Sequence, residues 1–518
     1  MGGSPLHVFR NKPMSLKKNI LASYATQIYV TLVGILILPL YLEYMGAEAY
    51  GLVGFFTMLQ AWFNLLDMGL TPTVARETAR FRGGATDVLS YRRLLRALQL
   101  IFFAIALLGG GAMFVFSGLI ADRWLNVQTL PLAQVQLALQ LMAVGVAMRW
   151  MSGLYRGCIS GSERLVWLGG FNAFVATLRF AGVLPVLIWV GHSPTVFFTY
   201  QVLVAVIEVV GLGIKAHLLF PKILPHQKIT FSTYLLFDAL RPVVKYSLSI
   251  AFTSSAWVVV TQVDKLILSG ILSLTEYGYF SLAVTLAAGV MTLSAPLTGP
   301  LTIRMIGLYS EDKKNEAIQL YQIATLSIVV FVGSVTIVLA MFSESILMTW
   351  TSDVKVALHG SEILSLYAIG YLFCSLSAFP GYIQHAIGDM KYHIQGSAIF
   401  LVILLPCLVF GAYFYQAKGA AVAWASVNFL FFLFWTKISH DKLVPLLHSQ
   451  WLFKRIILPF LPGVLLAWCV KVLTGRLIGP IIHLWQIMLF GAVLILLMAF
   501  MAAPVRDKIK SIVWQKLV

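Results

Sequence analysis

The sequence predicts an all-α, polytopic membrane protein of about fourteen transmembrane helices, and three observations predict it. Apolar stretches of about 16–28 residues tile the 518-residue chain almost end to end. Only 11% of residues are charged and 59% are hydrophobic, with a mean hydropathy of +0.87, whereas a soluble domain carries roughly 25% charged residues. Basic residues crowd into every second gap between the apolar stretches. A bilayer core of about 30 Å takes about 20 residues at about 1.5 Å each. Backbone amides find no water there, so spans are helices or strands of a closed barrel. Continuous apolar runs lack the alternation that barrel strands require.

The expected spans run over residues 20–44, 50–71, 94–120, 132–157, 165–190 and 196–220. A second set follows at 246–272, 278–303, 317–342, 363–382, 394–415 and 420–435. Two more, 456–472 and 481–504, close the chain, the first of them interrupted by Pro459 and Pro462. The organisation reads as a basic N-terminal tail (1–19), an N-lobe of six helices (20–220) and a linker (221–245). A C-lobe of six helices (246–435), two added helices (436–504) and a C-terminal tail (505–518) complete it. The residues after Met1 lack the apolar core of a cleaved signal peptide, so the first span serves as anchor.

Charge sets the orientation. Starting inside, the inner tails and loops hold about 29 of the 37 Lys and Arg, the outer loops about five and the spans three. Cations collect on the cytoplasmic side of short loops, so both termini are expected there. The same distribution explains the net charge of +17 without a nucleic-acid partner. The four cysteines (Cys158, Cys374, Cys407, Cys469) form no CxxC pair and have no metal-ligand spacing, and read as small apolar residues.

The linker, with Pro221, Pro225 and Pro242 around Ile229, Phe231, Leu235, Phe237 and Leu240, reads as a short amphipathic helix on the inner interface. It falls between two halves that echo each other. Glu48-Ala49-Tyr50-Gly51 opens the second span and Glu276-Tyr277-Gly278 the eighth, with the Tyr-Gly pairs 227 residues apart. Near that offset Thr71-Pro72 meets Gly299-Pro300, followed by Arg76 and Arg304 respectively. Both matched spans run inward, so the repeat is parallel. Parallel repeats about an axis along the membrane normal belong to transporters that carry substrate between their halves.

Charges at membrane depth cost at least about 2.5–3.5 kcal/mol on insertion scales, so each implies a partner or a wet cavity. Arg179 and Glu208 lie near the midpoints of the fifth and sixth spans, and Arg149 about a turn inward of the middle of the fourth. Asp67 lies in the inner half of the second, and Asp264-Lys265 in the outer half of the seventh. Ser23, Gln27, Thr31 and Gly34 share one face of the first helix; Ser254, Trp257, Thr261 and Lys265 share one face of the seventh. Such stripes suit a water-filled cleft, though interhelical packing uses the same residues. Arg179 with Glu208 reads either as a static pair or as part of a passage. Asp67 either pairs with Arg76 or Arg80, caps a broken helix, or faces the cleft. Asp264 and Lys265, about 100° apart on a helix, are expected to point different ways. Lys265 and Arg149 could each snorkel to an interface, and the run Arg76, Arg80, Arg82, Arg92, Arg93 and Arg96 doubles as plain topology signal.

Catalytic signatures are missing. The chain has no Walker-A sequence, no HExxH and no GxSxG. Its outer loops are short, the longest being about twenty residues around Glu344 to Glu362. Both features favour transport over a membrane polymerase or ligase.

Two stretches carry a family resemblance. The first runs from Leu38-Pro39-Leu40-Tyr41 through Met45-Gly46-Ala47-Glu48-Ala49-Tyr50-Gly51 to Leu66-Asp67-Met68-Gly69-Leu70-Thr71-Pro72 and Arg76-Glu77. The second is Gln262-Val263-Asp264-Lys265-Leu266 with Glu276-Tyr277-Gly278-Tyr279. Over about residues 14–96 and 246–300 the chain resembles O-antigen flippases of the polysaccharide transport family, in the multidrug/oligosaccharidyl-lipid/polysaccharide exporter superfamily. The resemblance implies two six-helix lobes in a V around a cationic cleft, and an undecaprenyl-diphosphate-linked O-antigen unit moved across a bacterial inner membrane. Lys265, within a matching motif, and Arg149 and Arg179, on their depth alone, are expected to form the lining that attracts the diphosphate, and Arg76 and Arg80 are counted among the translocation residues. Asp67 and Asp264 would be counter-charges or cation sites, Glu208 joins the translocation residues on its depth alone, and Gln27 and Thr31 would contact sugar hydroxyls. No cofactor is expected beyond a coupling Na⁺ or H⁺. The expected partners are the lipid-linked oligosaccharide, membrane lipids, and the polymerase and chain-length regulator of the same pathway.

Overall fold

A computed structural model of the chain describes residues 16–67, 69–221, 255–477 and 484–501. Those residues are all-helical, with one isolated bridge between Asn126 and Ser273. The linker beyond Pro221, together with Ser254 and Met68, lies outside the described residues, as does the side chain of Ser23.

The helices of the first half are α1 (Leu16–Met45), α2 (Ala47–Leu65), α3 (Leu70–Arg82), α4 (Val88–Val115) and the single turn α5 (Ser117–Leu119). They continue as α6 (Leu132–Gly161), α7 (Leu165–Phe180), α8 (Val183–Trp189), α9 (Pro194–Leu219) and α10 (255–271). The second half holds α11 (Leu274–Ser310), α12 (Lys314–Met341), α13 (Ser343–Thr351), α14 (Val354–Ser377), α15 (Phe379–Ile387) and α16 (Lys391–Leu430). It ends with α17 (Thr436–Leu443), α18 (Leu447–Gln450), α19 (Leu458–Leu477) and α20 (Leu484–Met501). Among the described residues ten helices are long and apolar enough to cross a membrane, or eleven when the bent pair α2 and α3 counts as one. Helix α16 breaks at Gln416 (φ 53°, ψ −138°), between the eleventh and twelfth expected spans.

The second and fifth expected spans are each divided into two helices. The second bends by 52° between α2 and α3, where Gly69 takes a left-handed φ of 71°. The fifth divides into α7 and α8 at Gly182, three residues before Pro185, which has no amide hydrogen to donate.

The chain forms two compact units, Met1–Gly278 and Tyr279–Val518. In the first unit α6 is the central post, packed on α9, α4 and α3. Its seam against α3 is made by Gly153, Gly157 and Gly161, spaced four apart as in other close helix contacts in lipid. A Cβ at Gly157 would meet the Thr71 carbonyl at 2.8 Å, and one at Gly161 would strike the Ala75 carbonyl. In the second unit α12 is the most enclosed span among the described residues. Trp424 lies fully buried beside Gly370, stacked with Tyr367. Tyr321 on α12 reaches His440 at 2.6 Å, and His440 reaches His448 at 3.1 Å, tying α17 and α18 to this unit.

Candidate functional site

Helix α6 carries Arg149 and Arg156 seven residues apart, and α9 carries Gln201 and Glu208 at the same spacing. Seven residues are two helical turns, about 10.5 Å, so each pair lies on one face. The two faces meet. Arg149 Nη2 donates to Gln201 Oε1 at 2.9 Å, and Arg156 Nη2 to Glu208 Oε1 at 2.5 Å, both across 52 residues of sequence. The constant offset makes these two rungs between parallel helices.

Helix α7 closes a third side. Arg179 Nη2 donates to Glu208 Oε2 at 2.8 Å, so each carboxylate oxygen holds a different guanidinium. Arg156 Nη1 also donates to Asn172 Oδ1 at 2.6 Å. At the other rung Arg149 Nη1 donates to Gln60 Oε1 of α2 at 2.5 Å, and its guanidinium carbon lies 5.2 Å from the Phe56 ring centre. Gln201 Nε2 donates to the Arg179 carbonyl at 3.0 Å, which joins the two rungs into one hydrogen-bonded chain.

The break after α7 makes that last bond available. The Ala181 and Gly182 amides both turn back to the Thr177 carbonyl, and the Leu184 amide bonds Ala181. The carbonyls of residues 178–180 would otherwise lack partners inside a helix end. Tyr200 Oη supplies one to Leu178 at 3.0 Å, Gln201 one to Arg179, and Tyr41 Oη one to Phe180 at 2.7 Å. Gly182 has no side chain to obstruct Tyr200, whose hydroxyl a Cβ would strike.

Three guanidinium groups thus gather around one carboxylate. The Glu208 side chain is 3% exposed, against 24% for Arg179 and 32% for Arg156. Arg149 Nε and Arg179 Nε are buried without a hydrogen-bond partner. Among the described residues Arg149 makes no ion pair; its two acceptors are neutral amides. A cation withdrawn from water without a counter-ion is costly, so such a group favours the arrival of an anion.

Other residues singled out by sequence stand elsewhere. Asp67 caps the break in the second span: both its oxygens take the Thr71 amide at 3.2 Å, and Oδ1 takes the Thr71 hydroxyl at 2.6 Å. Arg76 and Arg80 both reach Glu77, at 3.5 and 3.1 Å. Lys265 curls back to the Thr261 carbonyl at 2.6 Å, which brings Nζ to 4.0 Å from Asp264 Oδ1. The expectation that these neighbours point apart is corrected by this flexible stem. Gln27 on α1 is exposed and Thr31 half-buried; α1 packs on α7, where the Tyr29 hydroxyl meets Thr177 Oγ1 at 2.7 Å.

By sequence Arg156 reads as an inner-end topology residue, and Gln60, Asn172 and Gln201 carry no charge to mark them. The matched seven-residue spacings on α6 and α9 were the available signal.

Comparisons with known proteins agree with this architecture. The model of the polysaccharide biosynthesis protein family matches residues 16–299. A protein of Shigella flexneri, provisionally named an O-antigen transporter, is 22% identical over 465 residues, covering 86% of this chain and 99% of its own. Among solved structures, the lipid II flippase MurJ in its inward closed conformation aligns with a TM-score of 0.69 at 15% identity, over 95% of this chain and 100% of its own. An inward-facing multidrug resistance transporter of the MATE family, in the MOP superfamily, aligns with a TM-score of 0.56 at 14% identity, over 85% and 98%. The chain belongs to the polysaccharide biosynthesis protein family, as a multi-pass integral membrane protein with the fold shared by MurJ and the MATE proteins.

Proposed function

We propose that this protein is a flippase that moves an undecaprenyl-diphosphate-linked O-antigen repeat unit from the inner to the outer leaflet of a bacterial inner membrane. One observation carries the reading: among the described residues Arg149, in the middle of an apolar span, is held by two neutral amides and the Phe56 ring without an ion pair, beside two more arginines that share a single carboxylate. A diphosphate diester brings two negative charges to that imbalance. Its sugar needs hydrogen-bonding surface, for which Gln27 and Thr31 are candidates, while the polyprenyl tail stays in lipid. Family membership and the O-antigen transporter among the relatives support the same substrate class. Transport would proceed by alternating access, which substrate shifts only by its differential affinity for the two states. The empty, positively charged carrier would be drawn back by the membrane potential, at about 2.3 kcal/mol per charge per 100 mV.

A sister substrate is the second reading, favoured by the likeness to the lipid II flippase fold. The deciding experiment is a leaflet-resolved assay in reconstituted vesicles with labelled carriers bearing either an O-antigen unit or a peptidoglycan precursor. Arg149→Ala should abolish movement of the true substrate while leaving protein level intact. Unchanged flipping in that variant would overturn the role of Arg149. In cells, loss of the gene should strand lipid-linked units on the cytoplasmic face; units stranded outside would mean a polymerase instead.

A further inference from the structure

Glu208 is the odd member of the cluster. It is the most deeply buried of the four charged groups, yet its partners are the more open ones. Its two oxygens are divided between guanidinium groups on different helices, Arg156 on α6 and Arg179 on α7. That is how a phosphate oxyanion sits between two arginines, with charge-assisted bonds of about 2.7–2.9 Å. The seat is not saturated. Arg179 Nε is buried with no acceptor, and the second amino group of Arg156 is taken by the neutral oxygen of Asn172. Two turns along α6, Arg149 offers a further cation with no anion of its own.

We propose that Glu208 is an internal stand-in for the substrate's phosphate. It fills an oxyanion seat between Arg156 and Arg179 in the empty protein, and yields that seat when a phosphate arrives. This deepens the reading of the cluster as a passage for a diphosphate and rests on it. The carboxylate keeps two guanidinium groups from repelling each other while the carrier is empty. It also competes with substrate for them, which weakens binding and so permits release on the far side. Arg149, lacking any competitor, makes the first contact; Arg156 and Arg179 are won only by displacement. A static structural tie would do none of this, because removing it would cost stability without improving the hold on phosphate.

The test is thermal unfolding of the purified full-length protein in nanodiscs, titrated with inorganic pyrophosphate at constant ionic strength. Glu208→Gln removes the competing charge and should lower the half-saturating pyrophosphate concentration by at least about tenfold, the scale of one charge at contact distance under strong screening. Glu208→Asp restores the competitor and should bring the value back toward wild type. If Glu208→Gln binds no more tightly than wild type, Glu208 is a structural tie and the proposal falls. Should Glu208→Gln fail to fold, the same comparison is made between Arg156→Gln and the double variant Arg156→Gln/Glu208→Gln, which removes one of the two guanidinium groups that the carboxylate holds apart. Equal affinity in those two overturns the proposal as well. Vesicle flipping is scored separately. Tighter pyrophosphate binding in a protein whose wild type flips no lipid carrier would remove the flippase reading and leave the seat intact.

Discussion

Gly51 and Gly278, the glycines of the two Tyr-Gly pairs that mark the sequence repeat, lie against each other. A Cβ built on Gly278 would stand 3.2 Å from the Gly51 nitrogen and 2.6 Å from the Ala47 carbonyl, and one on Gly51 would strike the Leu274 carbonyl. The start of α2 and the start of α11 therefore meet backbone to backbone, with no side chain between them.

That contact leaves no room for a methyl group, because the obstructing atoms are main-chain carbonyls that cannot swing aside. Gly51→Ala and Gly278→Ala should each destabilise by about 1–3 kcal/mol, the usual cost of overpacking. Gly111→Ala on α4, where a Cβ meets nothing within 4 Å, should be neutral or gain up to about 1 kcal/mol from helix propensity. Thermal unfolding in detergent of the three variants checks this. Equal behaviour of all three would mean that the close approach is absent.

The break between α7 and α8 gives a second test. Gly182→Ala places a methyl where the Tyr200 hydroxyl now sits, so Tyr200 must release the Leu178 carbonyl. A buried acceptor left without its donor costs about 1–3 kcal/mol. Gln201 is the next residue and bonds both Arg179 and Arg149, so lost flipping should accompany lost stability. Tyr200→Phe should cost about 1 kcal/mol and spare flipping, since it removes the bond without pushing α9. Stability and vesicle flipping measured on both variants separate the two effects.

Much of this arrangement was legible in the chain, and the remainder was hidden for physical reasons. Hydropathy and the cation asymmetry give the membrane class directly, because bilayer thickness and backbone desolvation leave few options. Arg179 and Glu208 announced themselves by depth alone. Arg156 did not. It stands near the predicted inner end of a span, where the positive-inside rule explains any arginine, and only the extension of α6 to Gly161 puts it inside the bundle. Gln60 and Gln201 stayed hidden because a neutral amide in an apolar run carries little cost to flag it. The division at Gly182 was hidden because hydropathy is continuous across residues 165–190; only Pro185 hinted at it. Asp67 was legible as a helix cap but equally as a counter-charge, and spacing could not separate the two.

Asp67 can be resolved by a graded pair of substitutions. Both oxygens serve Thr71 at the first turn of α3. Asparagine keeps an acceptor there and caps about as well as aspartate, whereas alanine loses about 0.5–2 kcal/mol. Asp67→Asn should therefore retain stability and flipping, and Asp67→Ala should lose stability. A folded Asp67→Asn variant with no transport would show instead that the charge itself is used.

Asp87 gives the pH test, because it lies in the turn before α4, clear of the apolar spans. Its carboxylate accepts the Ser90 amide at 3.0 Å as the helix cap. The bonds from Ser90, side chain first and then backbone, hold its pKa below the ordinary value. A carboxyl depressed on folding stabilises the protein above its unfolded pKa of about 3.9, and that contribution is lost as pH falls through the lower folded value. Asp87→Asn keeps a capping oxygen without the charge and should flatten the dependence below about pH 4, while Asp87→Ala should cost about 0.5–2 kcal/mol at neutral pH. Melting curves from pH 3 to pH 7 on the three proteins would reveal it. An Asp87→Asn protein that loses stability in acid as steeply as wild type would place the titrating group elsewhere.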